Sequence, residues 1–98
     1  MEDLIQAVAE WGRNKNINDP VMQYAKLNEE VGEIAHELTR NNLKSEEMED
    51  ALGDTLVTLI ILADILGYDL KQCLGEAYGV ISHRKGKTIN GSFIKEEQ

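Results

Sequence analysis

Leu4, Ile5, Val8 and Trp11 recur at three- and four-residue steps, a spacing that predicts a first helix from Glu2 to about Arg13. Asn14–Asn18 is a polar break, and Asp19-Pro20 reads as an N-cap followed by proline in a first turn. A second helix runs from there to about Arg40, with Leu27, Val31, Ile34 and Leu38 along one stripe, and Asn41-Asn42 ends it. Ser45, followed by Glu46 and Glu47, starts a third helix that stops at Gly67. Asp69 caps a fourth that reaches about Ser82, with Gln72 placed for a capping box. The remainder, from Arg84 to Lys95, reads as a basic tail with a turn at Asn90-Gly91. Four helices with short connections and no linker or repeat predict one all-α domain over residues 1–98, an antiparallel four-helix bundle.

A chain of 98 residues lies near the lower end of what buries a useful core alone. Its apolar content is concentrated in residues 51–66, so completion or extension of the bundle by a homo-oligomer, dimer or tetramer, is expected. The net charge of −8 argues against a nucleic-acid partner, which would require excess Lys and Arg. Leu56–Ala63 is too short to span a bilayer, and Met1–Glu10 has no signal-peptide pattern, so no membrane partner and a cytoplasmic location are expected. The lone Cys73 has no partner for a disulfide or zinc site and is expected as a semi-buried helix residue.

The chemistry lies in the charges on the two central helices. At roughly 100° per residue, Glu30, Glu33 and Glu37 fall within about 60° of one another beside the apolar stripe, with Glu29 about 40° beyond Glu33. Glu47, Asp50 and Asp54 likewise share a face of the third helix within about 60°. That helix is apolar nearly all round from Leu52 to Leu62, so Asp54 is expected to be buried against the core. No Lys or Arg occurs between Ser45 and Leu70 to neutralise it. Oxygen-only donors without His or Cys suit Mg²⁺, with Mn²⁺ as a substitute. Acidic helix faces are also commonly just solvated surface, and residues 29–37 alone do not decide between the two.

Lys26-Leu27-Asn28-Glu29-Glu30-Val31-Gly32-Glu33, followed by Asp50-Ala51-Leu52-Gly53-Asp54, resembles the MazG-like all-α nucleoside triphosphate pyrophosphohydrolases. Their pattern is a Glu-Glu-x-x-Glu helix followed by a helix carrying Glu-x-x-Asp, and the similarity extends from Gln23 to Lys95. The resemblance implies cleavage of a nucleoside triphosphate between the α- and β-phosphates, giving a monophosphate and pyrophosphate with Mg²⁺ as cofactor. It implies Glu30, Glu33 and Asp54 as metal ligands and Glu29 as the base that activates water. Alanine stands at position 51, where the family has glutamate. Either Asp50 replaces that ligand, or Glu47-Met48-Glu49-Asp50 is the Glu-x-x-Asp unit and Asp54 adds to it. The resemblance also implies triphosphate contacts from Arg84, Lys85 and Lys87, with Lys95 a further candidate, and a nucleobase stacked on Trp11. Gln23 and Lys26 lie one to two turns before the acidic motif, within reach of a substrate. The alternative is a non-catalytic helical oligomer, held by metal or serving as a protein-interaction module.

Overall fold

Side-chain caps set the helix boundaries. The computed structural model describes residues 2–96. Helix α1 spans Glu2–Asn14, α2 Pro20–Thr39, α3 Glu46–Leu66 and α4 Leu70–Ile81. The Asp19 carboxylate accepts hydrogen bonds from the Val21 and Met22 amides, with Pro20 in the first turn where a missing N–H costs nothing. Ser45 Oγ accepts from the Met48 amide, and Asp69 from the amides of Lys71 and Gln72. Gly67, at φ 81°, closes α3. The expected breaks and N-caps therefore stand where the sequence pattern places them, while at Asp69 only the cap's own side chain makes the bonds and Gln72 does not complete a capping box.

Helix α3 is the axis of the fold, with α2 along one side and α1 against its C-terminal half. Close approach of α1 depends on Gly12, since a Cβ there would lie 3.1 Å from Ile61 Cγ1. Arg13 Nη1 then donates to Asp64 Oδ1 at 2.6 Å, tying the end of α1 to α3. Ala9, Ile60, Ile61 and Ala63 form the core at this contact.

The α2–α3 seam differs from the expected stripe. Val31 and Leu38 remain 47% and 55% exposed. The positions turned inward on α2 are Gln23, Leu27, Glu30, Ile34 and Glu37, at alternating steps of four and three. They face Met48, Ala51, Thr55 and Thr58 of α3. Gln23 and Glu37 are buried, so polar groups at seven-residue intervals are built into the seam. Each has its own partner: Gln23 Nε2 donates to Thr58 O at 3.2 Å, and Asn42 Nδ2 donates to Glu37 Oε1 at 2.7 Å. Asn42→Ala leaves a buried carboxylate short of its donor, an expected loss of about 1–3 kcal/mol in urea unfolding. An unchanged midpoint would show that water replaces the amide without cost.

A closed four-helix bundle does not form within one chain. Helix α4 turns away from α3 by 103° and has no buried residue. Cys73 on it is exposed rather than semi-buried, because no other element among the described residues packs closely over α4. The C-terminal segment is an ordered β-hairpin, β1 (Gly86–Ile89) antiparallel to β2 (Ser92–Lys95), with Lys87 opposite Ile94 and Thr88 opposite Phe93. Its turn needs positive φ at both central residues, supplied by Asn90 at 52° and Gly91 at 80°. The radius of gyration is 16.1 Å, against about 13 Å for a compact chain of roughly 100 residues. The chain is extended because α4 and the hairpin project from the three-helix body.

Candidate active site on the α2–α3 hairpin

Helical geometry sorts the charged residues of the hairpin by edge. At roughly 100° per residue, Lys26, Glu33 and Glu29 lie about 60°, 80° and 120° to one side of the buried stripe of α2. Glu47, Asp54 and Asp50 lie about 60°, 80° and 120° to the same rotational side of the α3 stripe. A two-fold rotation that exchanges antiparallel helices keeps such offsets on one edge, so both acidic sets share an edge of the hairpin. Val31, Leu38, Leu52, Leu56 and Leu59 occupy the opposite edge, and all are exposed.

Among the candidate site carboxylates, Glu30 is nearest the seam, its side chain 16% exposed. The Gln23–Thr58 hydrogen bond fixes the register. One heptad along α2 and one back along α3 then bring Glu30 level with Ala51. The absent family glutamate would therefore stand opposite Glu30, in the seam itself. Asp50 and Glu47 lie outside the seam, both exposed on the acidic edge.

Asp54 is exposed, not buried, and the expectation of a carboxylate in the core is corrected here. Its helix is apolar nearly all round, but in one chain only the faces toward α1 and α2 are covered. The need for a cation therefore rests on charge density along the edge rather than on desolvation of Asp54. Glu29 and Glu33 are also exposed. Lys26 Nζ lies 3.8 Å from both Glu29 Oε2 and Glu30 Oε1. Gln23 does not reach outward for a substrate, because its amide is committed to Thr58.

Trp11 is 51% exposed and forms a shallow pocket of about 340 Å³ with Ala7, Val8 and Val57. Val57 is one turn beyond Asp54 on α3, which sets this apolar hollow beside the acidic edge. Lys15 Nζ stands 6.0 Å from the centre of the indole ring. Arg84, Lys85, Lys87 and Lys95 are all exposed. Among the described residues, no ion pair joins them to the acidic edge.

Residues 20–88 match the model of the MazG nucleotide pyrophosphohydrolase domain, covering α2, α3, α4 and most of the first hairpin strand. The chain belongs to the MazG family. Neither a curated protein nor a solved structure gives a significant match. Membership makes this a mostly helical domain of a nucleotide pyrophosphohydrolase family, one that typically depends on a divalent metal. The donors on the MazG acidic edge fit such an ion by chemistry, being carboxylates alone. As the side chains stand, no three His, Cys, Asp or Glu residues among those described come together closely enough to hold one. Among the described residues no single helix is long and apolar enough to cross a membrane.

The Arg13–Asp64 and Glu37–Asn42 pairs are not evident from the sequence pattern. Glu37 had a visible signal, the seven-residue recurrence of polar Gln23, Glu30 and Glu37. Pairing across 51 residues, as for Arg13 and Asp64, leaves no comparable trace in the sequence.

Proposed function

We propose that the chain hydrolyses nucleoside triphosphates between the α- and β-phosphates, releasing a nucleoside monophosphate and pyrophosphate, with Mg²⁺ or Mn²⁺ as cofactor. The observation that carries the reading is the shared edge. Two acidic sets from antiparallel helices lie on one side of a single hairpin, within a MazG domain. Glu30, Glu33, Asp54 and either Asp50 or Glu47 would hold the metal. When bound, a divalent ion offsets phosphate charge and makes water more acidic.

Glu29 is the outermost of the α2 carboxylates and would accept the proton of the attacking water. Its exposure supports this role, because a base must meet solvent and substrate together. Arg84 and Lys85, leading into the hairpin, and Lys87, on its first strand, would neutralise the leaving pyrophosphate. Trp11 would stack on the base. The substrate is a nucleotide, and a cytoplasmic setting is consistent with that use.

Assembly completes the reading. The leucine-rich edge continues into a groove of about 450 Å³ lined by Ile5, Leu56, Leu59, Leu70 and Leu74. We infer that a second copy covers it, giving a homo-oligomer and the bundle that one chain leaves open.

The deciding experiment measures pyrophosphate release from a panel of ordinary and damaged nucleoside triphosphates with Mg²⁺ or Mn²⁺. Release from at least one is expected. None from any would leave the alternative, a metal-stabilised or partner-binding module. Trp11 is the sole tryptophan, so its emission reports base stacking directly. Quenching by a nucleoside triphosphate but not by inorganic triphosphate is expected, and equal effects of the two would remove Trp11 from the site.

A further inference from the structure

Lys26 is the only basic residue with both candidate site carboxylates, Glu29 and Glu30, in reach among the ion pairs of the described residues. Both contacts run along α2, at i,i+3 and i,i+4, and both are 3.8 Å long. They leave Glu29 and Glu30 engaged on their own helix rather than turned toward Asp50 and Asp54 across the hairpin. The register set by Gln23 and Thr58 also brings Lys26 within one residue of the level of Asp54, on the same edge. An ammonium thus stands inside the acidic set, while no three carboxylates converge.

We propose that Lys26 is the resident counter-cation of this edge, paired with Glu29 and Glu30, and competes with the divalent metal for Glu30. The inference rests on the metal-site reading above and adds a role for a residue outside the acidic motif. An ammonium and a divalent ion cannot share the same carboxylate oxygens without strong repulsion, so uptake of one requires release of the other. A lysine serves this purpose because its head group is a mobile point charge on a flexible stem. The ion pairs are partly exposed, with Lys26 56% and Glu29 70% accessible, so the competition is weak enough to be overcome by a metal. Once displaced, the ammonium is free to meet a substrate phosphate. Lys26 is a positioning residue for the empty site and a contact for the filled one.

The test is titration of the full chain with Mn²⁺ alone, by calorimetry, in the absence of nucleotide. Lys26→Met is expected to bind Mn²⁺ about three- to tenfold more tightly than the unmodified chain, and Lys26→Arg to stay within about twofold. The gap should narrow at 1 M salt, where exposed charges are screened within about 3 Å. Lys26→Gln serves as a second neutral variant, with circular dichroism confirming helix content for each. Equal or weaker binding in both neutral variants would overturn the proposal, as would Lys26→Arg behaving like them or a wild-type chain that takes up no Mn²⁺. Pyrophosphate release is measured separately. Its absence, with the tightening preserved, would remove the hydrolase reading and leave the competition standing.

Discussion

Glu29→Gln is expected to lower kcat for pyrophosphate release by about 10²–10⁴-fold while leaving Mn²⁺ uptake and helix content unchanged. Glu30→Gln is expected to abolish uptake and activity together. The two neighbours separate because of their places on α2. Glu30 sits at the seam, level with Ala51 and little exposed. Glu29 lies about 100° further round, where no neighbouring helix orients it and solvent reaches it freely. A glutamine is nearly isosteric with glutamate, so at position 29 it removes a proton acceptor without disturbing the fold. Steady-state kinetics alongside calorimetry distinguishes the outcomes. Full activity in Glu29→Gln would place the base elsewhere, and loss of Mn²⁺ uptake there would make Glu29 a ligand instead.

The second large effect concerns adjacent residues of α3. Ile60 is 5% exposed and packs inside one chain, whereas Leu59 is 38% exposed on the leucine-rich edge. Ile60→Asp buries a charge with no partner and is expected to cost about 3–5 kcal/mol. That is a large part of the roughly 5–15 kcal/mol that holds a domain of this kind folded. Urea unfolding should show most of the cooperative transition lost. Leu59→Glu should leave the helices of each chain intact by circular dichroism and yield smaller particles by light scattering. Activity should fall with assembly if the second copy completes the bundle. A fully active, helical monomer of Leu59→Glu would show that the exposed leucines serve no interface needed for catalysis.

Much of the local structure was legible in the residues. Asp19-Pro20, Ser45, Gly67 and Asp69 act through nearest neighbours, so their effects on helix ends survive in any tertiary setting. Asn90-Gly91 belongs to the same class, although the hairpin around it was expected only as a tail with a turn. The burial of particular faces was not legible in the same way. Val31 and Leu38 lie on the apolar side of a helical wheel, yet the seam rotates past them to Glu30 and Glu37. Periodicity shows that a helix has an apolar side, but the stripe that packs is chosen by the partner helix. Here Thr58 and Asn42 supply hydrogen bonds that let Gln23 and Glu37 enter the seam.

Asp54 shows the same limit from the other direction. An apolar run around it suggests burial, but a single chain has too little surface to cover every face of α3. The candidate site was therefore readable as a set of residues and unreadable as an arrangement. The sequence by itself determined four helices with their caps, the MazG motif on the central pair, and the departure at Ala51. Only the tertiary structure decided that both acidic sets share one edge and that Ala51 faces Glu30. It alone left α4 and the leucine edge open. The physical reason is range. Caps and turns are set by hydrogen bonds within a few residues, whereas edges and seams depend on how two helices rotate against each other.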